Sequence, residues 1–394
     1  MSVTYPRGFK AAGAHVGLRG KLHPDMAIVR NLGPESTVAG VFTSNRVFAA
    51  PVGWDRKVVA GGQAQAVVIN SAVANACTGE QGDRDAAAMA AHLGRVLGVA
   101  ENECLVCSTG IIGRALDMPK MTAGIDAVAA KLRADGGDEA AEAILTTDTK
   151  SKTATHESPS GWKIGGMAKG AGMLAKGAGM LAPALATMIV ILTTDAVWDG
   201  ATLQTMLSDT VEKTFNRLDS DGCMSTNDTV LLLASGASGI KPDPDEFAAG
   251  LMQVCKSLAL QLLGDAEGAH HDIEIRVTGA ASEAGALEAA RTISRSNLVK
   301  TAVYGNDPNW GRILSQLGTV PEDVLPFDPA RVDVSINGVK VCKNGGIGED
   351  PYLADMSPRE CHILVELHAG QEEAHLWTSD LTHEYVHING DYTT

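Results

Sequence analysis

The chain has 394 residues, of which 45% are hydrophobic and 20% charged, and its formal net charge is −15. Length and hydrophobic content predict a folded protein of about two domains and argue against disorder. The acidic excess argues against nucleic acid or an anionic membrane surface as a partner, because both carry negative charge.

In the first half, short apolar runs predict strands at residues 38–43 and 65–70, and helical spacing of apolar residues predicts helices at 85–97 and 119–132. The second half continues this alternation. It predicts helices at 201–217, 245–263 and 283–294, and strands at 188–192, 229–234, 272–278 and 331–336. The mixture of periods favours an α+β fold built in layers.

A glycine-rich segment, residues 165–194, separates the halves. It contains the heptad AKGAGML at residues 168–174, followed at once by an identical copy at 175–181. Repeat proteins have units of about 20–50 residues, so this tandem is not a solenoid. The glycine density and Pro183 predict a loop ahead of the strand at 188–192.

Two weak motifs do not lead to a cofactor. The glycines of each heptad fit a loose dinucleotide pattern, but Pro183 and a β-branched run follow where a helix would have to begin. Cys104 and Cys107 form a CxxC pair without two further ligands at similar spacing, which favours buried free cysteines over zinc.

The sequence also offers histidines that could be metal ligands. We interpret them as surface histidines instead: His270, His271, His383 and His387.

Three further features indicate the cellular location. The seven scattered cysteines are typical of a reducing cytoplasm. The N-terminal residues lack an apolar secretion signal, and the run at 188–192 is shorter than the roughly 20 residues of a membrane helix. We therefore expect a cytoplasmic protein without a membrane segment.

Thr187 is the one candidate nucleophile. The sequence lacks the GxSxG turn of many serine hydrolases, but Thr187 stands where the glycine-rich loop meets an apolar strand. From this local pattern alone, an ordinary strand residue is favoured. A threonine becomes a nucleophile when its own α-amine is the base, which requires cleavage of the bond between Ala186 and Thr187.

Many ordered motifs resemble the self-cleaving ornithine acetyltransferases (glutamate N-acetyltransferases) of arginine biosynthesis. The strongest is KGAGMLAPALATM at residues 176–188, followed by LTTDA at 192–196. Further matching segments, spread over nearly the whole chain, are residues 40–43, 75–79, 108–113, 146–148, 225–229, 265–268, 306–312 and 389–394.

The resemblance implies a fold and a reaction. The expected fold is a layered αββα sandwich, shared with self-processing aminopeptidases, with a smaller α/β C-terminal domain. The expected reaction moves the acetyl group of N2-acetylornithine to L-glutamate through acetyl-Thr187. Self-cleavage would give an α chain of residues 1–186 and a β chain of 187–394 that stay associated as αβ pairs, for example in a heterotetramer. This cut need not coincide with a domain boundary.

The resemblance also implies site residues. Thr109 and Gly110 match the oxyanion-hole pair, and no metal or organic cofactor is needed. The implied substrate contacts are Thr146, Lys176, Thr187, Glu267, Asn389 and Thr394. Because of the tandem heptad, counting back from Thr187 selects Lys176, whereas counting forward from Gly165 selects Lys169; the first count is preferred.

Two questions about the reaction stay open at this point. Acetyl-CoA could be a second donor, which would make the enzyme bifunctional. The alternative function is a self-processing N-terminal-threonine aminopeptidase or amidohydrolase, in which water takes the acyl group.

Overall fold

The computed structural model describes residues 2–20, 23–172 and 187–391, which form two compact units. The first unit comprises Met1–Asn216 and Cys223–Asp265, and the second comprises Arg217–Gly222 and Ala266–Thr393. Thr187 and most of the chain before it therefore belong to the same unit.

The first unit contains two sheets. Sheet one has the order β1-β2-β4-β5, with β4 and β5 parallel. Sheet two has the order β3-β9-β8-β7-β6, with β8 and β9 parallel. The strands are β1 (Phe9–Ala14), β2 (Met26–Asn31), β3 (Thr37–Phe42), β4 (Ala66–Asn70), β5 (Cys104–Ser108), β6 (Lys152–Glu157), β7 (Lys163–Lys169), β8 (Ile189–Thr194) and β9 (Thr229–Ala234).

Six helices among the described residues pack against these sheets. They are α1 (Ala50–Ala60), α2 (Gly79–Leu97), α3 (Met118–Ala129), α4 (Gly137–Ala143), α5 (Gly200–Lys213) and α6 (Pro244–Leu263). The sheets pack face to face through one apolar core, to which Val67 and Leu105 contribute from sheet one and Ile191 and Leu231 from sheet two. Helices α2 and α3 pack on sheet one, and α5 and α6 on sheet two. This is the expected αββα sandwich.

The second unit has a six-stranded sheet of order β13-β12-β11-β14-β10-β15. Its strands are β10 (Asp272–Ala280), β11 (Asp333–Ile336), β12 (Val339–Lys343), β13 (Gly346–Ile347), β14 (Glu360–Glu366) and β15 (Glu372–Ser379). Its helices are α7 (Glu283–Ser294), α8 (Asn297–Tyr304), α9 (Trp310–Leu317) and α10 (His383–Asp391). Ile275 of β10, Ala289 of α7 and Ile313 of α9 share its core. The smaller α/β unit is therefore present.

The loop prediction is wrong at its beginning, because residues 163–169 form strand β7, which pairs with β6 and β8 inside sheet two. A Cβ atom on Gly165 would lie 2.2 Å from the Ser2 carbonyl oxygen, and one on Gly166 would lie 2.8 Å from Leu192 Cδ2. These glycines allow close packing of neighbouring elements, which the composition alone does not distinguish from a flexible loop.

The other predicted elements agree with the structure to within four residues at their ends, except α2, which begins at Gly79 and not at the predicted residue 85. Cys104 and Cys107 are buried in β5 and form no disulfide. The surface prediction is wrong for His271, which is buried and bonded through Nδ1 to Asp380 at 2.8 Å. In the part of the chain that the structure describes, no helix is long and apolar enough to cross a membrane.

Candidate active site

Thr187 lies two residues before β8, at the end of a central strand of sheet two, and is 5% exposed. Its Oγ1 is 3.0 Å from Ser225 Oγ. Ser225 Oγ in turn accepts the Asn227 N–H at 3.0 Å, and the Asp228 carboxylate accepts the Met188 N–H at 2.9 Å. The hydroxyl and the backbone of this junction are thus both held by buried polar groups.

The pairing of β7 with β8 brings a lysine beside Thr187. Lys169 is the last residue of β7, pairs with Ile189, and is fully buried. Its Nζ donates to the Thr187 carbonyl oxygen at 2.9 Å, to Thr146 Oγ1 at 2.6 Å and to Thr109 Oγ1 at 3.3 Å. One ammonium group therefore connects three threonines that are far apart in the sequence.

Thr109 and Gly110 follow β5. The Thr109 N–H donates to the Asn70 carbonyl at 3.0 Å, so the hydrogen that Thr109 retains for another acceptor is that of its hydroxyl. Gly110 has φ +125°, and a Cβ atom there would lie 2.3 Å from the Ala72 carbonyl oxygen. Among the described residues, none accepts a backbone hydrogen bond from the Gly110 N–H. This pair can supply one hydroxyl and one amide donor.

A buried carboxylate stands behind the lysine. Asp148 has a fully buried side chain, 3.8 Å from Lys169 Nζ and 2.7 Å from Lys152 Nζ, and it accepts the Gly170 N–H at 2.6 Å. Burial raises the pKa of Asp148, but the charges of Lys169 and Lys152 and the hydrogen bonds outweigh it and lower this pKa to about 2. Asp148 is therefore ionised at neutral pH.

The charges continue to Asp265 at the end of the first unit. Lys152 also donates to Asp265, which accepts the Thr149 N–H at 3.0 Å. Lys169, Asp148, Lys152 and Asp265 thus form an alternating row of two positive and two negative buried groups. Such pairing is what allows four charges to stay in a protein interior.

The structure brings together only part of the predicted site. Thr109, Thr146 and Thr187 meet around Lys169, as described. In the second unit, Asn389 Nδ2 donates to Glu267 Oε2 at 3.0 Å, so these two predicted residues are neighbours. Lys176, Ala186 and Thr394 lie outside the described residues.

Sequence reasoning assigned no role to four groups of this site. Asp148, Ser225 and Asp265 belong to matched motifs at 146–148, 225–229 and 265–268, but nothing in those motifs says what the side chains contact. Lys152 lies outside them. The contacts of these side chains become known only from the register in which the strands pair.

The first unit is a layered αββα sandwich with a hydroxyl side chain, that of Thr187, just ahead of the central strand β8. Comparison of the sequence with known families is more specific. The model of the ArgJ family matches residues 10–175 and 174–394. This chain belongs to the ArgJ family.

Curated relatives agree over the full length. The chain is 53% identical over 398 residues to the arginine biosynthesis bifunctional protein ArgJ of Bifidobacterium longum, and 52% identical over 394 residues to that of Streptomyces coelicolor; both alignments cover 100% of each chain. Among solved structures it is similar to an ornithine acetyltransferase complexed with ornithine from Mycobacterium tuberculosis. That match has 44% identity and a TM-score of 0.43, and it covers 46% of this chain and 95% of that one.

Proposed function

We propose that the chain transfers the acetyl group of N2-acetylornithine to L-glutamate, as an acetyltransferase of arginine biosynthesis. Its membership of the ArgJ family supports the pathway, and the ornithine-bound acetyltransferase supports the substrate class. The observation that carries the chemistry is the burial of Thr187 and its link to Thr109 through Lys169, whose Nζ donates both to the Thr187 carbonyl oxygen and to Thr109 Oγ1.

In the first half-reaction, Thr187 Oγ1 attacks the acetyl carbon of N2-acetylornithine, and its proton passes to the free α-amine of Thr187. The Thr109 hydroxyl and the Gly110 N–H donate to the oxyanion of the tetrahedral intermediate. The C–N bond then breaks, the proton passes to the leaving amine, and ornithine departs. An acetyl ester on Thr187 remains.

In the second half-reaction, the amine of glutamate attacks this ester. The bond from carbon to Thr187 Oγ1 breaks, the oxygen recovers a proton through the α-amine, and N-acetylglutamate leaves. Donor and acceptor use one site in turn, so the kinetics are ping-pong. No metal or organic cofactor enters these steps.

The free α-amine requires cleavage between Ala186 and Thr187. An α-amine has an ordinary pKa of about 8, so a useful fraction is unprotonated near neutral pH. We propose that the mature protein consists of the chains 1–186 and 187–394, associated as αβ pairs that assemble into a heterotetramer. The sheets support association, because β7 and β8 lie on opposite sides of the cut and pair along their length.

Substrate recognition is assigned to Thr146, Glu267, Asn389 and Thr394 together with a lysine. We place Lys169 in the site beside the nucleophile, since its Nζ is 2.9 Å from the Thr187 carbonyl oxygen. The two matched segments of the family model meet at residues 174–175, where the first heptad ends and the second begins. This supports an inserted second copy. A role for Lys176 stays a prediction.

Deleting one heptad tests this assignment. Removal of residues 175–181 leaves Lys169 as the single heptad lysine and should preserve cleavage and transfer. Lys176→Ala in the full chain should also preserve both, whereas Lys169→Ala should reduce transfer strongly. Loss of activity on Lys176→Ala, with Lys169→Ala active, would reverse the assignment.

The function itself is tested with the wild-type protein and two Thr187 variants. Intact mass should show two chains, and N-acetylglutamate should form from acetylornithine and glutamate. Thr187→Ala should abolish cleavage and transfer, while Thr187→Ser retains a hydroxyl and should retain part of both. An uncleaved wild-type chain that transfers acetyl groups would refute the free-amine mechanism.

Two further arms of this assay address the remaining alternatives. Multiple-turnover release of ornithine and acetate without glutamate would identify the aminopeptidase or amidohydrolase alternative. Replacing acetylornithine by acetyl-CoA tests a second donor, which the word bifunctional in the relatives' names makes worth testing. We also propose a cytoplasmic location, in keeping with the free thiols of all seven cysteines.

A further inference from the structure

We propose that Lys169, held by Asp148, is a positioning residue that directs the hydroxyl hydrogen of Thr109 toward the reacting carbonyl group. This inference rests on the proposed acetyl transfer and adds to it the reason why a threonine hydroxyl is a reliable oxyanion donor. It assigns to Lys169 an action through Thr109, in addition to the recognition role given above to a lysine of the site.

The direction of the Thr109 hydroxyl follows from counting hydrogens. A hydroxyl group has one hydrogen to donate and two lone pairs to accept with. Lys169 Nζ lies 3.3 Å from Thr109 Oγ1, and a protonated lysine can only donate. The oxygen must therefore accept from Lys169, and its own hydrogen points away from Nζ. This hydrogen is then available to an oxyanion.

The hydrogens of the Lys169 ammonium group already have acceptors within the protein. It has three hydrogens, and the structure gives it three close acceptors: Thr146 Oγ1, the Thr187 carbonyl oxygen and Thr109 Oγ1. A substrate carboxylate would have to displace one of these protein bonds. The geometry therefore gives this lysine a role in orienting protein groups.

Asp148 keeps Lys169 protonated, and this maintains the direction of the hydrogen bonds. A fully buried lysine loses its proton readily unless a negative charge lies near it. Asp148 supplies that charge at 3.8 Å; Lys152 lies beyond it, and after cleavage the Thr187 α-amine is a further titrating neighbour. A neutral Lys169 amine would be able to accept a hydrogen bond. The Thr109 hydroxyl could then donate to the lysine, and the oxyanion would lose its donor.

The test measures single-turnover release of ornithine from acetylornithine without glutamate, as a function of substrate concentration and pH. Asp148→Asn should lower the saturating rate by about tenfold or more, the size expected for partial loss of one oxyanion donor. It should also shift the alkaline limb of the pH–rate profile to lower pH, by about one pH unit or more. The half-saturating concentration should change little.

The matched control is Asp195→Asn. Asp195 is also a fully buried carboxylate and accepts the Lys163 N–H at 2.7 Å, but it follows the opposite end of β8 from Thr187. The substitution Asp195→Asn should leave the rate of ornithine release and its pH profile unchanged. Thermal unfolding and intact mass confirm that both variants are folded and cleaved. If Asp148→Asn fails to fold, Lys169→Arg is the second test, because a guanidinium stays protonated and should raise or remove the alkaline limb.

A double-mutant cycle with Thr109→Val separates the two roles of the lysine. If Asp148 and Lys169 act through the Thr109 hydroxyl, Asp148→Asn should cost little once that hydroxyl is absent. Independent, multiplying effects would overturn the proposal. So would a raised half-saturating concentration at an unchanged saturating rate for Lys169→Met, since this indicates direct substrate binding. A wild-type protein that releases no ornithine would instead refute the proposed function.

Discussion

Gly110 gives the sharpest prediction about the oxyanion site. Alanine at this position would adopt φ +125°, a backbone conformation that costs a side-chain-bearing residue about 1–3 kcal/mol. Its Cβ would also lie 2.3 Å from the carbonyl oxygen and 2.4 Å from the carbonyl carbon of Ala72. Because these are backbone atoms, the turn must move, and the Gly110 N–H moves with it. We expect Gly110→Ala to lower the acetylation rate about 100- to 1000-fold, the usual loss for one oxyanion donor.

Gly113→Ala is the matched control for backbone strain. Gly113 lies three residues further on and also has a positive φ, of +76°, but no heavy atom lies within 4 Å of the position that its Cβ would take. This variant should lose about 1–2 kcal/mol of stability through its left-handed conformation alone. It should keep the wild-type rate to within a small factor.

The assay compares single-turnover ornithine release with thermal unfolding for both glycine variants. The expected result is a large rate loss for Gly110→Ala and a loss of stability without rate loss for Gly113→Ala. If Gly110→Ala is folded and cleaved and reacts as fast as Gly113→Ala, the Gly110 N–H does not stabilise the oxyanion and the assignment is wrong.

Three further predictions concern stability. The folded-state pKa of Asp148 is lowered from 3.8 to about 2, so its carboxylate should stabilise the fold by about 2 kcal/mol above pH 4. This contribution should be lost as the pH falls toward 2. The free energies of unfolding of Asp148→Asn and wild type, measured with denaturant, should therefore converge in acid. Gly165→Ala should lower the unfolding temperature more than Gly166→Ala, because the first would meet a backbone oxygen and the second the ends of leucine side chains. Asn227→Ala should cost about 2 kcal/mol or more in denaturant unfolding, since two buried carbonyl groups, at 2.7 and 2.9 Å from its Nδ2, lose their donor.

Much of the fold follows from local sequence patterns. Helix α7 and strand β9 have the predicted bounds because their apolar residues repeat with the period of one secondary structure and face one core. Strand β7 was missed because Gly165 and Gly166 resemble a loop in composition. Their real constraint is the approach of Ser2 and Leu192, which are distant in sequence and known only after folding.

The residues of the site also fall into two groups, those that sequence motifs could name and those whose roles depend on contacts made in the fold. Thr187, Thr109 and Gly110 could be named because a family motif carries residue identities. Asp148 and Lys152 could not be given roles, since a buried charge has meaning only with its partner, and these partners are set by the pairing of β6, β7 and β8.

The two heptads show why spacing in sequence is a poor guide to distance at this site. Counting back from Thr187 assumes that the chain between lysine and nucleophile has a fixed length, but a hairpin connection can be lengthened without moving its ends. The register that pairs Lys169 with Ile189 depends on β7 and β8 alone. Seven additional residues beyond the end of β7 therefore leave Lys169 beside Thr187, and an insertion that duplicates the motif need not disturb the charge row behind it.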